Sequence, residues 1–254
     1  MAVTLKPLRD QVIVVTGATS GNGLATVEAA VRRGAAVVAT ARNETALEAL
    51  RARLSADGGR IAVCAADVSD MAAVERVTAV AVAAFGGFDS WVNNAATGTY
   101  GTLDQVPVAD HRRVFDVNYF GLLHGSLVAA RHLRGRGGAI INIGSILSDR
   151  AIVEQGPYCA TKHAVQALTD TLRMELEQEG AGISVTLIKP GAIDTPFPNM
   201  RAISWINHRA CHRRSTPPPS SPTRCCSRAR RRGGRCMLAV AGCCHHSSRA
   251  PRRG

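Results

Sequence analysis

Short runs of β-branched and apolar residues alternate with longer helical patterns from residue 11 to residue 199, and this alternation limits the fold more than any other feature. The strand-like runs are residues 11–16, 36–40, 60–65, 88–93, 139–143 and 183–188. The helical patterns are residues 23–33, 44–54, 70–85, 108–134 and 157–179. Strands that are separated by helices pair in parallel through right-handed crossovers. We therefore predict an α/β fold with a doubly wound parallel sheet, whose ligand crevice lies at the carboxyl ends of the strands.

The distribution of charge divides the chain near residue 200. The 254-residue chain carries a net charge of +12. Residues 1–200 hold 18 Lys and Arg and all 19 Asp and Glu, whereas residues 201–254 hold 13 Arg and no acidic residue. We predict a catalytic domain over residues 1–199 and a separate Arg-, Cys- and Pro-rich tail over residues 200–254. The tail has neither a helical nor a strand period, which predicts disorder.

Three interpretations of the tail are open. The first is out-of-frame translation after a frameshift near codon 200, which resequencing of the locus tests. The second is a nucleic-acid-binding arm, because 13 arginines could neutralise phosphates. The third is a zinc module built from the cysteines and histidines of the tail, although adjacent Cys-Cys pairs lack the usual ligand spacing. We favour the first, and we expect neither a metal site nor a nucleic-acid partner.

The sequence shows neither a secretory leader nor a membrane-spanning run. Met1 to Asp10 lacks a long apolar stretch, and no run of 18 or more apolar residues follows. We therefore expect a cytoplasmic protein with no membrane partner, in which the cysteines stay reduced.

A glycine-rich segment, T-G-A-T-S-G-N-G, directly follows the first predicted strand. Glycine permits a tight turn and lets backbone N–H groups approach a pyrophosphate at a helix N-terminus. The spacing is Gly-x-x-x-Gly-x-Gly, and a turn without function is the alternative. The cofactor contacts predicted here are Gly17, Thr19, Ser20, Gly21, Asn22 and Gly23.

Two residues at later strand ends bear on the choice of dinucleotide. Ala41 occupies the position at which an acidic residue usually binds a free ribose 2′-hydroxyl, and Arg42 follows it. We therefore predict NADP(H), with NAD(H) as the alternative cofactor and a solvated surface charge as the alternative reading of Arg42. Asp67 could reach the adenine edge, or it could instead cap the next helix.

Tyr158 and Lys162 stand one helical turn apart in Y-C-A-T-K, thirteen and seventeen residues after Ser145. A phenol ordinarily has a pKa of about 10, and an adjacent ammonium would lower it. Ser145 would hold a carbonyl oxygen between its hydroxyl and the phenol. This arrangement suits proton transfer to or from the oxygen of a carbonyl/alcohol pair, although a Tyr-x-x-x-Lys pair alone is common on ordinary helices.

The motifs together are more specific than any one of them, and over about residues 8–199 the chain resembles the short-chain dehydrogenase/reductases. The resemblance rests on T-G-A-T-S-G-N-G, Asp67-Val68, N-N-A-A at 93–96, Asn118, Ser145, Y-C-A-T-K and P-G-A-I-D-T at 190–195. It implies a Rossmann-type sheet, a nicotinamide cofactor and reversible carbonyl reduction. Relatives would continue with a substrate-covering segment, another helix and a seventh strand, and none of these is readable in the tail.

The resemblance also implies a role for each matching residue. Tyr158 would be the general acid/base, Ser145 would polarise the carbonyl, and Lys162 would lower the pKa of the phenol and bind the nicotinamide ribose. Asn118 would hold a water that links Lys162 to solvent, and Asn93 would brace the central strands. The further cofactor contacts that it implies are Val68, Asn94, Ala95, Pro190, Gly191, Ile193 and Thr195.

We therefore predict an NADP(H)-dependent oxidoreductase that interconverts a small-molecule carbonyl and a secondary alcohol. The alternative is a non-catalytic nucleotide-binding protein whose basic tail contacts nucleic acid. The substrate is not readable, although apolar residues between 146 and 153 are consistent with an apolar one. The long helices at 108–134 and 157–179 form a dimer face in relatives, so a homodimer is expected.

Overall fold

The structure of the protein is a computed structural model that describes residues 3–191. The predictions for the tail and its missing seventh strand, and for Ile193 and Thr195, lie outside the described residues.

The described strands form one parallel sheet, as the alternating pattern predicts. They are β1 (Val12–Thr16), β2 (Ala36–Ala41), β3 (Ile61–Ala65), β4 (Ser90–Asn93), β5 (Gly138–Ile143) and β6 (Ile183–Ile188). Their order across the sheet is β3-β2-β1-β4-β5-β6. Strands β1 to β3 follow one another from the centre of the sheet to one edge, and β4 to β6 follow one another from the centre to the other edge. The order therefore reverses between β1 and β4, where a doubly wound sheet opens its ligand crevice.

Helices connect consecutive strands. They are α1 (Gly21–Arg32), α2 (Glu44–Ala56), α3 (Met71–Phe85), α4 (Val108–Phe115), α5 (Gly121–Leu133) and α6 (Gly156–Gln178). Local sequence sets several of their ends. The side chains of Asn43 and Asp70 accept hydrogen bonds from the first turns of α2 and α3. Gly86 ends α3 with a left-handed φ of 79°.

The predicted single helix over 108–134 is interrupted. A π-helical turn, Asp116–Phe120, joins α4 to α5. Such turns widen the helix locally and are frequent at functional sites. This one carries Asn118, which is 1% exposed. The 3.6-residue hydrophobic period continues through the turn, so the sequence pattern does not reveal it.

The core lies on both faces of the sheet. Val14, Val38 and Trp91 pack on one face, whereas Val15 and Val37 pack on the other. Neighbouring residues of one strand therefore serve opposite layers, which explains the nearly continuous apolar runs.

No helix within residues 3–191 is long and apolar enough to cross a membrane. The same residues contain no group of three or more His, Cys, Asp or Glu that could hold a metal ion.

Candidate active site

The turn between β1 and α1 depends on glycine because the chain approaches itself closely there. Gly17 has φ +65°, and a Cβ at this position would lie 2.9 Å from the Cα of Ala95. A Cβ on Gly23 would overlap the carbonyl of Gly17 and the side-chain amide of Asn94. The structure thus brings together the glycine-rich turn and the Asn94-Ala95 segment. Their shared edge is the crevice at the ends of β1 and β4.

Thr16 joins these two segments, and the sequence reasoning did not identify it. Its Oγ1 atom accepts hydrogen bonds from the backbone N–H groups of Asn94 (2.9 Å) and Ala95 (3.0 Å). The Asn94 side chain donates in return to the carbonyls of Thr16 and Gly17. Thr16 is buried, so these contacts fix the crevice wall. The sequence signal that could have identified Thr16 is its position directly before Gly17, the first glycine of the glycine-rich segment.

Arg42 lies at the carboxyl end of β2 and is exposed. It follows Ala41, whose backbone pairs with Ala65 of β3. Within residues 3–191, no carboxylate forms an ion pair with its guanidinium.

Asp67 does not cap the next helix, because Asp70 is the N-cap of α3. The Asp67 carboxylate instead accepts hydrogen bonds from the hydroxyl of Ser69 (2.7 Å) and the guanidinium of Arg113 (2.6 Å). Burial alone would raise the pKa of Asp67, but these hydrogen bonds and the nearby positive charge lower it overall. Arg113 thereby ties α4 to the end of β3. Val68 is buried beside Gly121 at the start of α5.

Ser145 and Tyr158 meet across the loop that follows β5. Ser145 caps the short 3₁₀ helix Ile146–Ser148, and its Oγ accepts a hydrogen bond from the N–H of Leu147 (3.1 Å). The hydroxyl of Ser145 also lies close enough to the phenol of Tyr158 to lower the pKa of that phenol as a hydrogen-bond partner. The predicted carbonyl-binding pair is therefore brought together.

Lys162 lies one turn after Tyr158 on α6, with its Nζ atom 5.5 Å from the centre of the phenol ring. The ammonium is buried and donates a 2.8 Å hydrogen bond to the carbonyl of Ile143. Burial disfavours the charged form and lowers the pKa of Lys162 to about 8.

The pKa of Tyr158 corrects an expectation. The ammonium of Lys162 was expected to lower it, but burial raises it. The hydrogen bond with Ser145 offsets only part of that effect, and Cys159 and Tyr100 raise the pKa further. The reason is that a phenolate in this setting would lose much of its hydration. Tyr158 is therefore a neutral phenol near pH 7.

Asn118 clamps the site from the π-helical turn. Its Oδ1 atom accepts from the N–H of Thr97 (2.8 Å), and its Nδ2 atom donates to the carbonyl of Thr97 (2.9 Å) and to Oγ1 of Thr161 (3.0 Å). Thr161 in turn donates to the carbonyl of Tyr158. The side chain of Asn118 thus connects the loop after β4 to the turn of α6 that carries Tyr158. Its implied contact with a water stays a prediction.

A buried polar chain holds α6 against the sheet. Asn93 donates to the hydroxyl of Ser126 (3.0 Å) and to the side chain of Asn142 (2.9 Å). Asn142 donates onward to Thr169 of α6 (3.0 Å), and Trp91 donates to Asn93 (2.7 Å). Asn93 therefore braces the central strands, as expected. Because α6 also carries Tyr158, the same series of hydrogen bonds helps to fix the position of the phenol relative to the sheet.

Pro190 and Gly191 lie at the end of the described chain, beyond β6. The carbonyl of Pro190 accepts a 3.1 Å hydrogen bond from the N–H of Ile146, so this segment borders the loop that carries Ser145.

The chain is similar to known proteins in sequence and in fold. The family model for short chain dehydrogenases matches residues 11–202. The uncharacterized oxidoreductase YxnA of Bacillus subtilis is 47% identical over 213 residues, which cover 83% of this chain and 60% of that protein. An uncharacterized oxidoreductase of Methylorubrum extorquens is 35% identical over 192 residues, covering 75% of this chain and 76% of that protein. This chain thus spans less than two thirds of the length of the B. subtilis relative.

A solved structure also matches. The short chain dehydrogenase/reductase from Burkholderia phymatum, in complex with NAD, superposes with a TM-score of 0.74 at 32% identity. The match covers 77% of this chain and 70% of that one. The family model, the sequence relatives and the superposed fold lead to one conclusion: the chain belongs to the short-chain dehydrogenase/reductase family.

Proposed function

We propose that this protein transfers hydride between NADP(H) and a carbonyl/secondary alcohol pair, with Tyr158 as the general acid/base. The observation that carries the proposal is the closeness of the Ser145 hydroxyl to the phenol of Tyr158, beside the buried ammonium of Lys162. Two hydroxyls in contact can both bind one carbonyl oxygen, and such paired donors stabilise the negative charge that develops there.

The residues at the crevice fit a dinucleotide. The close approach of Gly17 to Ala95 leaves no room for a side chain, and the N-terminus of α1 begins at this turn. Backbone N–H groups at a helix N-terminus favour phosphate. In this proposal the glycine-rich turn holds the pyrophosphate, Asn94 and Ala95 border the nucleotide, and Lys162 binds the nicotinamide ribose. The bound nicotinamide supplies the hydride chemistry.

The neutral phenol favours the direction of carbonyl reduction at neutral pH. In that direction Ser145 and Tyr158 donate hydrogen bonds to the carbonyl oxygen, and the Tyr158 proton moves to that oxygen as its charge develops. Alcohol oxidation uses the same group as a base, so it requires the phenolate. Because burial raises the pKa of Tyr158, oxidation is expected to speed up at alkaline pH.

The preference for NADP(H) rests on the exposed Arg42 at the end of β2 and on Ala41, which stands where a 2′-hydroxyl would need an acid. A guanidinium binds a 2′-phosphate through charge-assisted hydrogen bonds. The superposed relative from B. phymatum is a complex with NAD, so NAD(H) remains the alternative cofactor.

The test of the reaction is the Tyr158→Phe variant. General acid/base groups contribute about 10²–10⁴-fold to rate, so ketone reduction should fall by about that factor. Binding of NADPH, followed by cofactor fluorescence, should change little because the ring remains. Turnover equal to wild type would refute the role of Tyr158. A nucleotide-binding protein without catalysis would show no turnover with any carbonyl tested.

We also propose a homodimer through α4, α5 and α6. A groove of about 620 Å³ runs between these helices, and its lining is mostly apolar. Phe120 and Leu127 line it and are each 45% exposed. Contiguous exposed apolar surface of this kind marks an interaction site. Leu127→Glu should convert a dimer to a monomer in light scattering, whereas Leu103→Glu, outside the groove, should not.

A further inference from the structure

Five large apolar or aromatic side chains remain exposed in two loops that border the candidate active site. They are Tyr100, Leu103, Ile146, Ile152 and Val153. Val153 is 87% exposed and Leu103 is 69% exposed. An exposed aliphatic side chain is ordinary when it stands alone, but a group of them beside a site is a binding surface. We refer to these five residues as the apolar rim.

The two loops of the apolar rim are joined to each other. The N–H of Gly101 donates a 3.0 Å hydrogen bond to the carbonyl of Glu154, and Gly101 and Gln155 form an isolated parallel bridge. The side chain of Leu103 covers the Cα of Gly156, the first residue of α6. Glu154 adopts a left-handed φ of 63°, which strains a non-glycine residue. These contacts hold the two loops of the apolar rim together.

The rim is also continuous with the catalytic groups. Ile146 directly follows Ser145, and the turn that holds Ile152 and Val153 leads into α6 two residues before Tyr158. Tyr100 directly precedes Gly101, which pairs with Gln155 just before α6, so this loop also reaches the start of the helix that carries Tyr158. A molecule whose carbonyl oxygen contacts Ser145 and Tyr158 would therefore extend over these side chains.

The charges of the rim disfavour anionic substrates. Residues 97–107 and 144–155 contain a single basic residue, Arg150. The acidic residue beside it, Asp149, forms a 2.7 Å ion pair with Lys189. A phosphate or carboxylate on the substrate would usually meet paired arginines or lysines, and these loops do not supply them.

Building on the proposed function, we infer that the substrate is an uncharged ketone or secondary alcohol with an extended apolar body that lies on the apolar rim. Burial of each additional methylene should then raise kcat/KM until the alkyl chain of the substrate extends beyond the apolar rim. The expected gain is about fourfold per methylene. A terminal carboxylate on the same chain should remove most of that gain, because the two loops offer it only one basic residue, Arg150.

The experiment measures kcat/KM for methyl ketones from propan-2-one to undecan-2-one, with NADPH and with NADH, on the full chain. Val153→Thr is the test variant, since it replaces one exposed methyl group with a hydroxyl. Val82→Thr is the matched control, because Val82 is an exposed valine on α3, 47% exposed. Val153→Thr should lower kcat/KM for the longest ketone about two- to fourfold more than it lowers kcat/KM for propan-2-one. Val82→Thr should change neither.

The outcomes separate this inference from the proposed function. Reduction of propan-2-one with no rise along the series would overturn the apolar rim as a substrate surface and leave the reaction intact. An equal rise of kcat/KM with ketone length in Val153→Thr and Val82→Thr would also overturn the apolar rim as a substrate surface and leave the reaction intact. A melting temperature lowered by Val153→Thr alone would show that other residues of the chain cover the rim, which also overturns the inference. Failure to reduce any ketone of the series would overturn the proposed reaction together with the inference.

Discussion

The Nζ atom of Lys162 donates a 2.8 Å hydrogen bond to the carbonyl oxygen of Ile143, the last residue of β5. This contact ties the first turns of α6 to the end of the strand that leads to Ser145. It also places a charged group in a buried position, so the stability of the protein should change with pH.

The stability of the protein should depend on the titration of Lys162. Burial lowers its pKa from 10.5 to about 8 in the folded state. Between pH 8 and pH 10.5 the unfolded chain binds the extra proton, so the free energy of unfolding rises with pH across that window. The full change would be about 3 kcal/mol. Urea unfolding of wild type and Lys162→Met at several pH values measures it. Parallel curves for the two proteins would contradict the burial of a charged lysine.

The oxygen of Thr16 should support both stability and cofactor binding. Thr16→Val leaves the N–H groups of Asn94 and Ala95 without their acceptor, which should cost up to about 1–3 kcal/mol for each of these partly buried donors. Thr16→Ser keeps the hydroxyl and is the matched control. Urea unfolding and NADPH titration should show losses in the valine variant that the serine variant avoids. Equal stability and equal NADPH affinity of the two variants would contradict the role of the Thr16 hydroxyl.

Arg42 should determine the preference between the two dinucleotides. Arg42→Gln removes a charge-assisted contact to the 2′-phosphate, so the Kd for NADPH should rise about tenfold or more while the Kd for NADH stays unchanged. Arg131→Gln removes the same charge from α5, where Arg131 is exposed and paired with Glu75. That control should alter neither affinity. An equal loss for both dinucleotides in Arg42→Gln would place Arg42 outside the 2′-phosphate site.

His132 should make the fold less stable in acid. Its Nε2 atom accepts a hydrogen bond from the N–H of Phe88 (3.2 Å), and its ring stacks on Phe88. Burial, with a contribution from Arg136, lowers the pKa of His132 despite the opposing charge of Asp89. The folded pKa lies below the unfolded value of 6.5, so stability is complete above pH 6.5 and is lost as pH falls through the folded pKa. Unfolding of His132→Gln should depend less steeply on pH below 6.5, and an unchanged slope would contradict this.

Local patterns predicted the elements well, because each pattern has a local cause. The apolar runs of β1 and β5 are buried on both faces, and β6 has the predicted bounds. The glycines at 17, 21 and 23 were recognisable from their spacing directly after a predicted strand, and side chains at Gly17 and Gly23 would collide with the chain itself. Asp67 was misjudged as a possible cap, since its partner Arg113 is distant in sequence.

Other features depend on contacts between distant segments, which no local pattern encodes. The clamp of Asn118 joins residues 21 and 43 positions away. The π-helical turn that presents Asn118 follows the same hydrophobic period as the flanking helices, so its presence was not readable.

The sequence by itself determined the class of fold, the position of the glycine-rich turn and the order of Ser145, Tyr158 and Lys162, because these follow from short-range spacing and backbone preference. Only the tertiary structure decided the electrostatics of the site. Burial acts through every segment that surrounds a group, and here it raises the pKa of Tyr158 and lowers that of Lys162. The spacing Y-C-A-T-K places the two groups side by side, but the surrounding packing decides which of them carries a charge.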